Sequence, residues 1–500
     1  MDGSTTYTLS KLCEILIDYE QIGTGDPEIL SLEMDSREAQ PQSLFICISG
    51  YTVDGHDFAE EAVKNGAVAI VAERPVSTNK VPVILVRDSK RAMAELAVAF
   101  YNQPTQQFTL YGVTGTNGKT TVTHLIDAIM QTAGKKTGMV GTLYTKIGDE
   151  VQQTVNTTPE SLVLQRTFAA MADKGVEAAA MEVSSHALDL GRVRGCDFDV
   201  AVFTNLSPDH LDYHKTMEAY TYAKGLLFAQ LGNSLDANGK KAVINADDPA
   251  AEVIEKMSAA PTLTYGVDAN ADVTAKNIHL SSSHTAFTLS SPYGSIDLNV
   301  KLIGTFSVYN VLAAASACLV NGCSLEVIKE SLEAVKGVDG RFELVEGKQD
   351  FSIIVDYAHT ADSLENVLKT LKETSKGRLI TVVGCGGDRD RAKRPEMAKL
   401  AVEYADEAIL TSDNPRSEEP EAIIRDMETG IKGSNYKVEI DRRKAIEQAV
   451  ASAAANDAVL IAGKGHETYQ EIKGERFYFD DREIAKESVH KLMKGGGPRD

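Results

Sequence analysis

Apolar residues along this chain switch repeatedly between short continuous runs and positions three or four apart, and each switch marks an element. Within residues 1 to 105, the segments 9–17, 44–48, 58–64, 67–72, 81–86 and 91–101 alternate between helix-like and strand-like patterns, which predicts a small α/β domain. Residues 106–336 have the strand-then-helix rhythm of an open, mostly parallel sheet. In that region 108–113 reads as a short strand. After it Val122, Leu125, Ile126, Ile129 and Met130 recur on one helix face until Gly134, and the apolar runs 176–183 and 198–204 predict two more strands. Residues 337–500 read as strand 352–355, helix 363–372, strand 379–383, helix 395–404, strand 408–411, helices 420–431 and 442–454, and strand 458–462, a Rossmann-like layout. The expected fold class is therefore α/β in three domains, 1–105, 106–336 and 337–500. No internal repeat is evident, and the tail Gly495-Gly496-Gly497-Pro498 is expected to fray.

Composition narrows the function classes. At 500 residues the chain exceeds one core and fits roughly three domains of about 100–200 residues each. With 43% hydrophobic and 25% charged residues it is ordinary for a soluble globular protein, and no apolar run approaches the ~20 residues of a membrane span. Met1-Asp2-Gly3-Ser4-Thr5-Thr6 lacks the basic and apolar regions of a signal peptide, so a cytoplasmic protein is expected. Six cysteines without paired ligand spacing predict reduced thiols rather than a disulfide framework or structural zinc. A net charge of −21 argues against nucleic-acid binding, although basic residues between Arg378 and Arg394 leave room for a local anion site.

The chemistry concentrates at the ends of the predicted strands. Thr114-Gly115-Thr116-Asn117-Gly118-Lys119-Thr120-Thr121 joins strand 108–113 to the helix that follows. A glycine turn at a helix N-terminus presents backbone N–H groups and the positive end of the helix dipole, which favour an anion. Lys119 adds a cation there, and Thr120 a hydroxyl suited to magnesium. The general phosphate-loop spacing requires glycine at position 113, where this chain has Val113, so the loop is a variant; taken alone it also fits a plain glycine turn. Strand 176–183 carries Glu182 near its end, and strand 198–204 leads into Asn205-Leu206-Ser207-Pro208-Asp209-His210. Ligands in such sheets bind beyond the carboxyl ends of the strands, so Glu182 and His210 are candidates for a magnesium–ATP site. A helix over 217–231 places Lys224 on the same stripe as Met217, Tyr220, Phe228 and Leu231; it either snorkels to solvent or is desolvated and chemically available. In the last domain four charged turns, Asp356-Tyr357-Ala358-His359, Gly384-Cys385-Gly386-Gly387-Asp388-Arg389, Asp413-Asn414-Pro415-Arg416 and Gly463-Lys464-Gly465-His466-Glu467, follow successive strands and face one crevice.

With these motifs in this order the chain resembles the Mur ligases, the ATP-dependent amide-forming enzymes of peptidoglycan precursor synthesis, over essentially its whole length. The loop 114–120 is similar to that family's ATP loop, which accounts for the departure at Val113, and Asp356-Tyr357-Ala358-His359 to its C-terminal adenosine-side motif. Asp35-Ser36-Arg37, Asn156-Thr157-Thr158-Pro159, Glu182-Val183-Ser184-Ser185-His186 and Asp413-Asn414-Pro415-Arg416 resemble the member that adds meso-diaminopimelate to UDP-MurNAc-L-Ala-D-Glu. Two positions depart from the family pattern, Ala361 where proline is common and Ser307 where asparagine is common; neither removes a charge.

The resemblance implies a role for each motif. Ser36 falls in the uridine-nucleotide pocket of domain 1–105, and Asn156, Thr157, Thr158, Ser184 and Arg192 hold the muramoyl dipeptide. Gly115, Thr116, Asn117, Gly118, Lys119, Thr120, Thr121, Arg341 and Asp356 serve ATP. Thr120, Glu182, His210 and Lys224 serve Mg2+, Lys224 as its carbamate, N6-carboxylysine. Asn414 and Arg416 hold the distal carboxylate of diaminopimelate, with Arg389, Asp413, Gly463 and Glu467 completing that pocket. Lys119, Glu182, His210 and Lys224 are the implied catalytic set, in a cytoplasmic monomer with a hinge near residues 335–340. Two rival readings use the same glycine loop. A folylpolyglutamate synthase type would have no use for the 1–105 domain, and a GTPase-like switch leaves Lys224 and the C-terminal turns unexplained.

Overall fold

A computed structural model describes residues 7–50, 53–78, 80–154, 156–232 and 239–495; Met1–Thr6, residues 51–52 of the polar turn before His56, and the glycine tail past Gly495 lie outside it. The chain forms two compact units, one of residues 1–114, 134–201 and 223–241, the other of 115–133, 202–222 and 242–500.

The first unit opens with a five-stranded sheet in the order Glu20–Ile22, Val83–Leu85, Ala67–Ala72, Ser43–Ile46, Ser31–Glu33, parallel except for the first pair. Alternate residues of the Ser43–Ile46 strand feed separate cores. Leu44 and Ile46 pack with Ala92, Met93 and Leu96 of helix Ser89–Phe100, while Phe45 packs with Ala59 and Ala62 of helix Ala59–Asn65. Burial on both faces is why these strands read as continuous apolar runs. A second strand set of the same unit runs Glu150–Gln152, Thr145–Ile147, Thr137–Val140, Ala178–Glu182, Thr109–Thr114; its last three strands are parallel and the first two form an antiparallel edge. Arg166 of helix Ser161–Asp173 ties the two sets together, donating to Leu32 O (2.6 Å), Glu33 (2.8 Å) and Tyr101 Oη (3.1 Å).

The second unit holds helix Lys119–Thr132, whose buried Val122, Leu125, Ile126, Ile129 and Met130 are the predicted stripe and which packs against helices Thr305–Leu319 and Leu325–Ala334. Strands Lys241–Asn245, Thr262–Gly266 and Val273–Leu280 pair in parallel, and Thr285–Ser291 and Gly294–Val300 extend them as an antiparallel meander. The apolar pattern does not predict the meander, because its strands are half exposed and alternate too weakly to stand out. Both departures from the family pattern are accommodated locally. The Ser307 hydroxyl donates to Ile303 O at 2.7 Å, and Ala361 begins a helix capped by Thr360 and Ser363.

A six-stranded sheet completes the second unit in the order Glu343–Leu344, Ser352–Asp356, Ala458–Ala462, Leu379–Cys385, Glu407–Ser412, Tyr436–Val438, parallel except for the first pair. One face, with Ile354, Val383, Leu410 and Leu460, packs against helices Ala361–Thr374, Lys393–Tyr404 and Pro420–Glu428. The other, with Ile353, Val382, Ile409 and Ile461, packs against helices Arg442–Ser452 and Asp481–Gly495. This is the expected doubly wound layout, and the strand Ala458–Ala462, late in the sequence, sits between the first two wound strands, where strand order reverses. Helix Asp481–Gly495 and the hairpin Tyr469–Ile472/Glu475–Tyr478 have no counterpart among the expected elements. The helix is anchored by a fully buried pair, Arg442 with Asp481 (2.6 and 2.9 Å).

Candidate active site

Parallel register decides which turns meet. In the six-stranded sheet Asp356 lies level with Ala462, Val383 with Ala462, and Cys385 with Ser412, so the turns after all four strands open at one edge. In the first unit Glu182 lies level with Val113, at the end of the strand from which the glycine loop departs.

Glu182 is 1% exposed, and Thr142 meets both oxygens of its carboxylate: Oε1 accepts from Thr142 N (2.7 Å) and Oε2 from the Thr142 hydroxyl (3.1 Å). Thr142 Oγ1 is 3.0 Å from Thr157 Oγ1; Thr158 Oγ1 donates to Glu182 O (2.8 Å) and accepts from Ser184 N (3.1 Å). Ser184 caps the short helix Ser185–Asp189, and Arg192 donates to Thr158 O (3.1 Å) while pairing with Glu160. Thr157, Thr158, Glu182, Ser184 and Arg192, spread over 36 positions of sequence, thus share one hydrogen-bonded network. Asn156 is exposed beside it. Ser36 is engaged within its own domain, its hydroxyl donating to Glu61 at 2.8 Å and its carbonyl accepting from Asn65. Asp35-Ser36-Arg37 is a turn closed by an Arg37–Asp35 pair. Lys224, in helix Met217–Ala229, is 1% exposed, which excludes snorkelling and leaves the desolvated alternative.

In the second unit the glycine loop is cradled by the segment after strand Val200–Phe203. Thr116 N donates to Asn205 O (2.8 Å), Asn117 N to Asn205 Oδ1 (2.9 Å), and Thr204 Oγ1 to Asn117 O (2.6 Å). A Cβ on Gly115 would lie 1.9 Å from Thr204 Oγ1 and one on Gly118 2.4 Å from Asn310 Oδ1, and both residues have positive φ, so only glycine lets the loop close this tightly. Lys119 Nζ curls over the loop, donating to Gly115 O and Thr116 O at 2.8 Å each. Asn117 Nδ2 donates to Asp362 (2.7 Å), and Arg341 donates to the Thr120 hydroxyl (2.9 Å). Thr121 is buried in the first helical turn. The Arg341 guanidinium lies 4.4 Å over the Tyr357 ring, and Asp356 accepts from Phe342 N (2.6 Å) and Ala358 N (2.7 Å). Burial raises the Asp356 pKa despite Arg341 and these two N–H groups. His210 has a left-handed backbone (φ 56°) and lies 3.3 Å from the Asp209 carboxylate. Burial pushes Asp209 up, but its interactions with His210, His359 and Lys393 override it and the net direction is down.

The turns of the last sheet form a third cluster. Asn414 Nδ2 donates to Glu467 (2.8 Å), Gly463 N to Asp356 O (3.0 Å), and Asp413 accepts from Asn414 N (2.6 Å). Arg416 Nη1 donates to Gly387 O (2.7 Å), with the Glu471 carboxylate 3.7 Å from its Nε. Arg389 is exposed, and among the described residues its guanidinium donates to Asp388 O rather than to the residues of this cluster. The basic stretch 378–394, with its room for an anion, is mostly neutralised internally. Arg378 pairs with Asp457, Arg391 with Asp426, and the fully buried Arg394 with Glu418 and Asp426. Lys464 and the Tyr469–Ile472 strand of the hairpin also belong to this cluster. Lys464 stands in one of the four charged turns, whereas the strand gives no sequence signal beyond weak alternation.

Burial, reinforced by neighbouring positive charge, lowers two histidines of this region from 6.5, His359 to about 4 and His466 to about 3. Both are neutral in the fold while the unfolded chain protonates near 6.5, so their contribution is complete above that pH and is lost as pH falls toward 4. The urea midpoint is expected to drop between about pH 7 and pH 5, and to drop less in His466→Gln. Equal drops in both proteins would show that His466 is not responsible.

Three comparisons bear on these clusters. Residues 28–101 match the Mur ligase family catalytic domain, 113–318 the Mur ligase middle domain, and 340–465 the Mur ligase glutamate ligase domain. The chain is similar to the UDP-N-acetylmuramoyl-L-alanyl-D-glutamate--2,6-diaminopimelate ligase of Halalkalibacterium halodurans, with 59% identity over 96% of this chain and 98% of that one. A solved structure of a UDP-N-acetylmuramoyl-L-alanyl-D-glutamate--2,6-diaminopimelate ligase matches with TM-score 0.68 and 36% identity over 96% of this chain and 99% of that one. The MurF ligase of Thermotoga maritima in complex with ADP matches in fold, with TM-score 0.64 and 20% identity over 93% and 97% of the two chains. Similarity at that identity, sustained from the first sheet through the last strand-end turns, shows that the chain belongs to the Mur ligase family.

Proposed function

We propose that this protein is an ATP-dependent ligase that joins meso-diaminopimelate to the D-Glu side-chain carboxylate of UDP-MurNAc-L-Ala-D-Glu, in peptidoglycan precursor synthesis. The observation that carries the reading is the 59% identity, over nearly the full length of both chains, to a ligase of that name. The clustering of Asn414, Arg416 and Glu467 at one sheet edge supports it. Residues 1–105 are assigned to the uridine-nucleotide end of the substrate, with Ser36 in that pocket, 106–336 to ATP, and 337–500 to the amino acid. Asn156, Thr157, Thr158, Ser184 and Arg192 are assigned to the muramoyl dipeptide.

Gly115 to Thr121 would wrap the ATP phosphates, with Lys119 as their cation and Arg341 and Asp356 on the nucleoside side. The phosphate chemistry fits that loop: glycines permit close approach, and a 14-residue helix starts at Lys119. The γ-phosphoryl passes to the D-Glu carboxylate, giving an acyl phosphate; the diaminopimelate amine attacks its carbonyl carbon, and phosphate leaves from the tetrahedral intermediate. Lys119 neutralises charge on the transferring group and holds it in line. Excluding water protects the acyl phosphate from hydrolysis, and a hinge near 335–340 would allow that closure. The hydroxyl of Thr120 and the buried carboxylate of Glu182 are hard oxygen donors of the kind Mg2+ takes, and His210 and a carbamylated Lys224 complete the assigned set. Bound there, Mg2+ would supply positive charge to the phosphate oxygens. We assign the protein to the cytoplasm as a monomer; among the described residues no helix is long and apolar enough to cross a membrane.

The test is phosphate release assayed with each substrate omitted in turn, with mass spectrometry of the product formed from competing diamino acids. Release that needs both UDP-MurNAc-dipeptide and meso-diaminopimelate is expected; release without either would point to a nucleotide hydrolase. Glu182→Ala is expected to fold and to lose about a hundredfold or more in turnover at saturating ATP and magnesium, through the loss of one preorganised charge. Lys224→Ala is expected to be inactive and partly rescued by a short-chain carboxylic acid standing in for the carbamate. A native mass at Lys224 without added CO2 in freshly prepared, unacidified enzyme would count against the modification.

A further inference from the structure

The turn Gly463-Lys464-Gly465-His466-Glu467 contains a charge that the proposed reaction does not use. The side chain of Lys464 is fully buried, with its Nζ 2.9 Å from Asn414 Oδ1 and 3.0 Å from Glu467 Oε2, and 5.4 Å over the ring of Tyr469. Burying an ammonium is costly, and a buried ion pair is a poor way to gain stability compared with an apolar side chain of similar size. Its two hydrogen-bond partners come from strand-end turns about fifty positions apart, and both are residues assigned above to the amino acid.

The orientation of Asn414 follows from these contacts without ambiguity. Its Oδ1 faces two groups that can only donate, the Lys464 ammonium and the Glu471 backbone N–H (3.0 Å), and its Nδ2 faces the Glu467 carboxylate, which accepts (2.8 Å). Both lone-pair directions of the amide oxygen are therefore filled from within the protein, and one Nδ2 hydrogen remains without an acceptor among the described residues. That hydrogen is the kind of donor a carboxylate needs. Were the amide reversed, an oxygen would face the carboxylate instead. Glu467 is held in the same way: Oε2 takes both Lys464 and Asn414, and Oε1 has no protein partner among the described residues.

We infer that Lys464 is a positioning residue for the diamino-acid substrate: it locks the Asn414 amide with its N–H outward and keeps the Glu467 carboxylate turned with one oxygen toward the ligand. The inference rests on the assignment of this cluster to diaminopimelate. Tyr469 supports it from the hairpin, its ring meeting the Lys464 ammonium at 5.4 Å and the Arg476 guanidinium at 4.3 Å, while the neighbouring Gln470 donates to Asp413 O (2.7 Å).

The test compares the full-length wild type with Lys464→Met, a neutral side chain of similar length, by thermal midpoint and by KM for each of the three substrates. The expected variant folds but melts below the wild-type midpoint, because Glu467 loses its cation, and its KM for meso-diaminopimelate rises about ten- to hundredfold, the loss typical of misplaced buried hydrogen bonds. Its KM values for ATP and UDP-MurNAc-dipeptide stay within about twofold, because neither substrate is assigned to Asn414 or Glu467, the two side chains that Lys464 orients. In an Asn414→Ala background the same substitution should cost much less, since the amide it orients is gone. An unchanged diaminopimelate KM, a parallel rise in all three KM values, or an undiminished loss in the Asn414→Ala background would each overturn the inference. If Lys464→Met does not fold, Tyr469→Leu decides the matter: a selective rise in diaminopimelate KM is expected, and no rise overturns it. A wild-type enzyme that uses no meso-diaminopimelate would sink the functional reading first, before any variant is compared, and this inference with it.

Discussion

Replacing Lys119 with alanine is expected to leave a folded protein whose turnover is lower by about a thousandfold, the upper range for removing one preorganised charge from a transition state. The side chain is only partly buried, and it donates to two carbonyls of its own loop, Gly115 O and Thr116 O. Each residue of that loop has other anchors: Thr116 and Asn117 are tied to Asn205, and Gly115 and Gly118 are fixed by close approach to Thr204 and Asn310. The loop is therefore expected to keep its shape without the ammonium, and what disappears is the charge proposed to face the transferring phosphoryl group. The decisive measurement is kcat at saturating ATP alongside the thermal midpoint. A variant with near-normal kcat would remove the loop from the ATP site, and one with a collapsed midpoint would make the lysine structural.

Much of this loop is legible in the amino-acid sequence, and the reason is local. A strand, a glycine turn and an amphipathic helix are specified by neighbouring residues, so Thr109–Thr114 and Lys119–Thr132 fall within a few residues of their expected bounds. The doubly wound C-terminal sheet is legible for the same reason, since strands buried on both faces are short apolar runs and their helices carry a 3.6-residue period. What is not legible are local antiparallel pairs whose residues carry no clear apolar run. The meander of Thr285–Ser291 and Gly294–Val300 and the hairpin of Tyr469–Ile472 and Glu475–Tyr478 are short strands whose polar residues disguise them. Helix Asp481–Gly495 does carry a signal, because Ile484, Ala485 and Val489 keep helical spacing and are buried. Its anchor, the buried pair of Arg442 with Asp481, carries none.

The site shows the same division. Thr157, Thr158, Glu182 and Ser184 stand in motifs and do meet, but Thr142, which donates to both oxygens of the Glu182 carboxylate, lies in a segment that carries no motif. Lys464 lies inside a charged turn yet gives no sign of full burial, since a lysine between two glycines ordinarily reads as exposed. Arg389 belongs to the amino-acid pocket by its motif and is found exposed, donating to its neighbour Asp388. Residue type and spacing identify which turns carry chemistry; the register of the sheet decides which of their side chains point inward.

Arg416→Ala is expected to lower kcat/KM for meso-diaminopimelate by about a hundred- to a thousandfold, the range for truncating one partner of a charge-assisted pair in a partly buried site. Diaminopimelate differs from lysine by a second carboxylate at its far end, which a guanidinium can take through two parallel hydrogen bonds. In this structure Nη1 is already committed to Gly387 O, and the Glu471 carboxylate at 3.7 Å from Nε is too far for a hydrogen bond. A ligand carboxylate can therefore take the edge formed by Nε and Nη2. The backbone of Arg416 has φ 52°, a left-handed conformation, but its N–H donates to Glu471 O (3.0 Å) and its carbonyl accepts from Lys473 N (2.7 Å). Those bonds survive truncation, so the loss should fall on the ligand and not on the fold. Glu471 also limits how strongly lysine is refused. An arginine orphaned by lysine would imply discrimination of roughly a thousandfold or more, but a carboxylate 3.7 Å away offsets part of that charge, and a preference nearer a hundredfold is expected. Truncation should leave the already weak use of lysine within about threefold of its starting value, because lysine never met the guanidinium. Paired kcat/KM measurements for the two amino acids in wild type and variant check both statements. A variant that loses both activities equally would make Arg416 a structural residue, and a wild type that uses lysine as well as meso-diaminopimelate would remove it from the distal carboxylate while leaving ATP-driven ligation intact.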